Sequence, residues 1–308
     1  MNSKSIKISG ALLAGILAPS LVHACACGCG IFDVGGPDMF PSGPGGMVWT
    51  EFDYMNQNRD WAGSSKGDPN ANGDKRIQTE FTTVGVQYMF NNSWGLEAEL
   101  PYDFRYFKGT DVNNNISTHS WNQLGDIRVN AIYTGFSDDL STGLNLGLKL
   151  PTGRFNVDTD LVDRDTQLGT GSTDILLGGF HRGKIGHDTH FEWYAQALLD
   201  MPLLTQDQYR PGVEFDSDIG IDYTGFSVGN VRIVPLAQVF FSERASDSEA
   251  NADPIDSGYQ RVLLSPGVEI HIHPVKIYAD AEIPVYQNFT GNQLAAPVLF
   301  KLSVTWMF

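Results

Sequence analysis

Long apolar runs are missing from this sequence. After residue 24 no segment approaches the roughly 18 consecutive apolar residues that a membrane-crossing helix needs. That excludes a helical membrane protein. Positive charge is scarce too. Twenty Lys and Arg stand against 36 Asp and Glu, for a net charge of −16, which argues against nucleic acid or an anionic inner-leaflet surface as partner. Cysteine is nearly absent, with three residues confined to positions 25–29, so no disulfide framework holds the body of the chain.

Glycine, by contrast, is abundant at 33 residues, and alternation runs through most of the chain. The stretch 297–308 places Val298, Phe300, Leu302, Val304, Trp306 and Phe308 on one face and Leu299, Lys301, Ser303, Thr305 and Met307 on the other. Similar period-two segments predict twelve strands, at 47–56, 79–90, 94–106, 124–135, 141–152, 173–182, 189–201, 217–226, 230–242, 260–271, 275–287 and 297–308. The connections sort by parity. Asn91-Asn92-Ser93, Phe136 to Leu140, Gly183 to Asp188, Ser227 to Gly229 and Ile272 to Pro274 are tight, and the alternate connections are long and polar. This layout predicts a twelve-stranded antiparallel transmembrane β-barrel with short periplasmic turns and long extracellular loops. A mean hydropathy of −0.18 suits a barrel whose lumen and loops dilute its lipid face. Pro101, Pro235, Pro266 and Pro284 fall inside strands and predict bulges or kinks.

Residues 1–24 read as a signal peptide, with Lys4 and Lys7 before a short apolar stretch and Val22-His23-Ala24 as a cleavage site. Residues 25–46 are a Cys-, Gly- and Pro-rich periplasmic lead-in or plug, and 47–308 the barrel, in the outer membrane of a Gram-negative bacterium. The inward faces carry the candidate lumen residues Glu97, Glu99, Asp103, Arg105, Asp126, Arg128, Lys149, Asp280 and Glu282. They are either an ion-pair network filling a narrow barrel or the charged constriction of a channel.

Cys25, Cys27 and Cys29 alternate, and three readings stand open. They are a site for Cu or another soft metal, a lipidation site at Cys25, or a strained Cys27–Cys29 disulfide. No other cofactor is expected. Asp68 to Asp74 matches half of a calcium loop, but a surface turn is the simpler reading. Asp158, Asp160, Asp163 and Asp165 read as a solvated acidic loop. His119-Ser120 has no assignable acid for a hydrolase, so no enzyme activity is expected. A haem motif for an electron conduit is missing.

The strand ending in Trp306 and Phe308 resembles the C-terminal assembly signal of bacterial outer-membrane barrels. Pro151-Thr152-Gly153, followed by Leu168-Gly169-Thr170-Gly171-Ser172-Thr173-Asp174, resembles the hairpin of the MetA-pathway phenol-degradation-type transporters of the outer membrane. The resemblance implies a monomeric barrel that passes small, often aromatic or hydrophobic, solutes. Its partners would be outer-membrane lipid, lipopolysaccharide, the barrel-assembly machinery and the solute. The alternative function is a non-conducting structural or soft-metal-binding barrel that uses the three cysteines.

Overall fold

The computed structural model describes residues 36–111, 113–187 and 189–308. The strands in chain order begin with β1 (Gly45–Gln57), β2 (Arg59–Gly63), β3 (Ser65–Lys66), β4 (Asp74–Met89) and β5 (Trp94–Thr110). Next come β6 (Ile116–Leu124), β7 (Ile127–Tyr133), β8 (Thr142–Leu150), β9 (Ser172–Lys184) and β10 (Phe191–Thr205). The last six are β11 (Glu214–Tyr223), β12 (Phe226–Val228), β13 (Val231–Arg244), β14 (Tyr259–Ile272), β15 (Val275–Ala295) and β16 (Leu299–Met307).

Twelve of the staves close into one antiparallel barrel, with β6 and β7 together forming a single stave and β2, β3 and β12 lying outside the ring. The first and last staves pair from Met47↔Met307 to Met55↔Leu299. At the seam Gly46 and Phe308 exchange two backbone hydrogen bonds of 2.8 Å. In hydrocarbon every backbone N–H and C=O needs a partner, so a spanning sheet must have no edge. The alternating pattern supplies the two surfaces that closure requires. Leu144, Leu146 and Leu148 of β8 point out, at 53%, 58% and 44% exposure. Trp94, Tyr133 and Phe136 pack ring against ring at the short-turn rim, where an aromatic girdle meets the lipid interface.

The expected barrel and its strand count are present, but some boundaries differ. The segment expected at 124–135 is broken. β5 pairs with β7 up to Glu99↔Arg128 and then with β6 from Tyr102↔Leu124. Pro101 sits at this change of partner, where it has no N–H to donate. Pro266 falls in a gap in the β14–β15 register and Pro284 at its bulge, as their chemistry demands. β13 runs on through Pro235, beside which the pairing with β11 stops at Leu236. The loop expected at 57–78 holds the β2–β3 hairpin, and β2 pairs with the tall end of β15. β15 continues to Ala295 rather than 287. These extensions stand above the membrane, where polar composition hides strand pairing from a hydrophobic period.

The mouth of the barrel is filled. Met55, Phe240, Leu263 and Leu299 form one apolar cluster inside it. Ile77, Phe107, Trp121 and Leu294 form another, together with Val157, Leu161 and Val162 from the long connection between β8 and β9.

A lipid-facing charge tests this assignment. Leu146→Arg should cost about 2–4 kcal/mol, as for a midplane residue, and Leu146→Val well under half of that. Urea titration of the barrel in lipid vesicles checks both.

Candidate functional site

The break in the fourth stave organises the lumen. Gly125 and Asp126 leave the sheet, and the Asp126 carboxylate turns inward at 7% exposure. It accepts hydrogen bonds from the backbone N–H of Gly153 (2.9 Å), the N–H of Thr170 (2.8 Å) and the Thr170 hydroxyl (2.6 Å). Thr152 Oγ1 donates to the Gly125 carbonyl at 2.8 Å and accepts from Ile127 N–H at 2.9 Å. Gly153 and Gly169 lie back to back. A Cβ added at Gly169 would stand 2.3 Å from the Gly153 carbonyl carbon, so only glycine permits the approach. The Pro151-Thr152-Gly153 and Leu168-to-Asp174 motif is therefore the neck of a loop clasped by Asp126.

From that neck, residues 154–168 fold into the barrel mouth. Arg105, 1% exposed, donates Nε to Thr79 Oγ1 at 2.9 Å and Nη1 to the Thr166 carbonyl. Gln167 closes the loop on itself through both the N–H and the carbonyl of Val157, each at 2.9 Å. Arg164 lies between the rings of Phe155 and Tyr209 at 4.4 and 4.3 Å and donates Nη2 to the Thr170 carbonyl at 2.6 Å.

This corrects the expectation of a solvated acidic loop. Asp158 and Asp160 are exposed, but Asp163 and Asp165 are packed against neighbouring acids. Burial, then the charge of Asp253, pushes the Asp163 carboxyl up to about 7. Burial, then the charge of Asp163, pushes Asp165 up to about 8. The reason is composition. Val157, Leu161 and Val162 are interleaved with the acids, and burying them draws the loop inward.

Below the loop lies a cavity of about 160 Å³, lined by Glu99, Asp103, Arg105, Asp126, Arg128 and Lys149 among others. Six of the nine predicted lumen residues thus meet in one chamber. Lys149 is held between Asp174 at 2.5 Å and Asp200. A second cavity of about 80 Å³ lies nearer the short-turn rim and is lined by Glu97, Asn130, Leu176 and Phe180 among others. Glu97 accepts there from Gln87 (3.0 Å) and Asn130 (2.9 Å). Glu99 and Arg128 line both chambers, and their side chains approach to 3.9 Å across the β5–β7 pair. The pair stands on one stretch of wall, where the two chambers meet. Asp280 and Glu282 line neither chamber and stand on the β15 wall.

The lead-in closes the lower chamber. Phe40 stacks on Phe180 (4.9 Å between centroids) and meets Tyr194 edge-on (5.8 Å). Gln87 Nε2 donates to the Met39 carbonyl at 3.3 Å, and Arg182 Nη2 to the Pro41 carbonyl at 2.9 Å. Of the lead-in or plug expected at 25–46, residues 36–41 lie against the lower chamber, and 25–35 fall outside the described residues. Its receptors Gln87, Phe180, Arg182 and Tyr194 were not singled out, since nothing in their own strands marks a contact more than 40 positions away.

Other expected features resolve differently. His119 does have an acid, with Nδ1 3.0 Å from Asp158 Oδ2, but Ser120 is exposed and next in the strand, so it faces the other way. The calcium-like stretch is a pair of side-chain-capped turns, with Asn70 N–H on Asp68 Oδ1 (2.9 Å) and Asp74 N–H on Asn72 Oδ1 (2.8 Å). Trp306 and Phe308 face outward at 55% and 63% exposure. The signal peptide and Cys25, Cys27 and Cys29 lie outside the described residues.

No protein-family model and no curated protein sequence matches this chain. Among solved structures it is similar to an outer membrane channel from Pseudomonas putida F1, with a TM-score of 0.63 and 11% identity over 89% of this chain and 100% of that one. The beta domain of the Bordetella autotransporter BrkA gives a TM-score of 0.49 and 13% identity over 86% and 100% of the two chains. The CymD monoaromatic hydrocarbon channel gives 0.42 and 10% over 86% and 89%. The likeness to the Pseudomonas channel is one of fold. With the apolar outer belt and the edgeless sheet, it gives this chain the fold of an outer-membrane β-barrel.

Two outcomes follow for the inward loop. Asp126→Ala removes three bonds to one carboxylate, a loss on the order of 3 kcal/mol of docking. Hydrogen exchange of residues 153–171 should accelerate while the strands stay protected. The loop should also respond to pH. Asp163 and Asp165 hold their protons more tightly when docked than when free. Docking is then strongest below the ordinary carboxylate range and weakens as pH rises towards about 7 to 8. Exchange of the loop should rise over that window, beyond the intrinsic pH effect, and Asp163→Asn with Asp165→Asn should flatten the response.

Proposed function

We propose that this barrel is a gated outer-membrane channel for small solutes. One observation carries the reading. Two chambers lie in sequence along the lumen, meet at the Glu99–Arg128 pair, and are capped at opposite ends by segments held through a few side-chain contacts. A barrel stabilised only as a scaffold would fill this volume with packed side chains. Charged groups at a narrow point act on passing ions and polar solutes where the dielectric is low.

The lower chamber adds an apolar surface, from Leu176, Phe180 and Leu198, suited to a solute with a hydrophobic part. The Pseudomonas protein of the same fold is described as an outer membrane channel, which supports the reading. In it the lead-in is the periplasmic gate and the loop at 154–168 the extracellular constriction. The chain acts without catalysis. Lipopolysaccharide surrounds its outer rim, and the barrel-assembly machinery recognises the last strand through Trp306 and Phe308.

Single-channel recording in planar bilayers tests this. The full-length protein should give small or intermittent conductance. Phe40→Ala combined with Arg182→Ala, or a chain lacking residues 25–41, should give steady conductance several-fold larger. Glu99→Gln should shift ion selectivity towards anions. Silence in every variant would overturn the channel reading.

A further inference from the structure

One wall of the lumen carries more negative charge than the protein compensates. Glu51 and Asp53 on β1 and Asp280 and Glu282 on β15 point inward, at 6%, 2%, 7% and 0% exposure. Between them β16 offers one lysine. Lys301 is the register neighbour of both Asp53 and Asp280, and its Nζ lies 3.5 Å from Glu51 Oε1. Arg261 on β14, 2% exposed and set over the Tyr259 ring at 4.3 Å, is the nearest other cation acting on Glu282. Four carboxylates thus face two cations on adjoining staves.

Their hydrogen bonding is uneven. Asp280 Oδ2 accepts from Gln238, Ser265 and Tyr278, each at 2.7 Å. Among the described residues, neither oxygen of Glu282 and not Oδ1 of Asp53 has a hydrogen-bond partner. A buried carboxylate without donors costs several kcal/mol, which a bound cation offsets. Glu51 and Asp53 also line the upper chamber, so that side of the shelf opens onto the solute path, with Asp280 and Glu282 behind it. Among the described residues no three acidic, His or Cys side chains meet at the spacing of metal ligands. The spread of the acids suits a cation that carries several N–H donors over some length.

We infer that this acidic shelf of Glu51, Asp53, Asp280 and Glu282 is a binding site for small organic cations bearing ammonium or guanidinium groups. It rests on the channel reading for the step of passage, and there it names the solute class. The binding itself does not depend on conduction. Lys301 holds the shelf together, and an incoming guanidinium or ammonium supplies the donor that Asp53 Oδ1 lacks, with the Glu282 charge behind it.

Equilibrium dialysis of the full-length barrel in detergent, with radiolabelled agmatine as probe and benzoate as anionic control, tests this at neutral pH. Saturable uptake of agmatine and none of benzoate is expected. Asp53→Asn with Glu282→Gln should weaken binding at least tenfold, and if that pair fails to fold, Glu51→Gln should weaken it severalfold. Asp138→Asn removes an exposed acid in the short turn between β7 and β8 and should leave binding unchanged. No saturable binding, or an equal loss in the exposed-acid variant, overturns the inference. Silent bilayers with intact agmatine binding would sink the channel reading alone, and conduction without binding would sink the shelf alone.

Discussion

Everything in this protein depends on pairing the backbone where no water is available. Closure of β1 on β16, secured at Gly46 and Phe308, removes the sheet edges that lipid would not tolerate. Once the sheet is closed, alternation sorts the side chains without further instruction. Leu144, Leu146 and Leu148 must face lipid, and their inward neighbours must share a narrow interior. That interior is dense with charge because the outer face has taken the apolar residues.

The break in the fourth stave lies where the proposed function concentrates. At Gly125 and Asp126 the fourth stave changes partner, and Pro101 opposite has no N–H to strand. The unpaired backbone is satisfied locally by Thr152, and the freed carboxylate of Asp126 holds the loop neck. Irregular backbone is tolerated at this depth because it lies inside the protein and against a cavity. The loop then enters the lumen for the ordinary reason of apolar burial, with Val157, Leu161 and Val162 against Ile77, Phe107 and Trp121. Asp163 and Asp165 go with it at an electrostatic cost, and this makes the mouth sensitive to protons.

The two inserted segments are held in different ways. The loop is covalently part of the wall at both ends and is clasped by a buried carboxylate and by Arg105. Residues 36–41 of the lead-in run into β1 and are held by ring contacts of Phe40 with Phe180 and Tyr194 and by two side-chain hydrogen bonds to their carbonyls. Between the two segments, the Glu99–Arg128 pair is partly exposed, at 20% and 22% for the two side chains, so solvent weakens its attraction and it can separate.

The sequence alone determined the architecture. A period of two repeated twelve times, with turn lengths alternating short and long, leaves a closed barrel as the only way to satisfy both the apolar face and the backbone. It also determined which residues face inward, because alternation is a local property of the strand. Glu99, Asp103, Arg105, Asp126, Arg128 and Lys149 were legible for that reason. What only the tertiary structure decided is how the inward residues group. The meeting of Phe40 with Phe180, of Asp126 with Thr170, and of Lys301 with acids from β1 and β15 depends on register and on loops crossing the lumen. These contacts join residues tens to hundreds of positions apart, and no local period records them. The Pro151-Thr152-Gly153 motif shows the same division. Its residues were visible in the chain, but their role as a clasp exists only once Asp126 stands opposite.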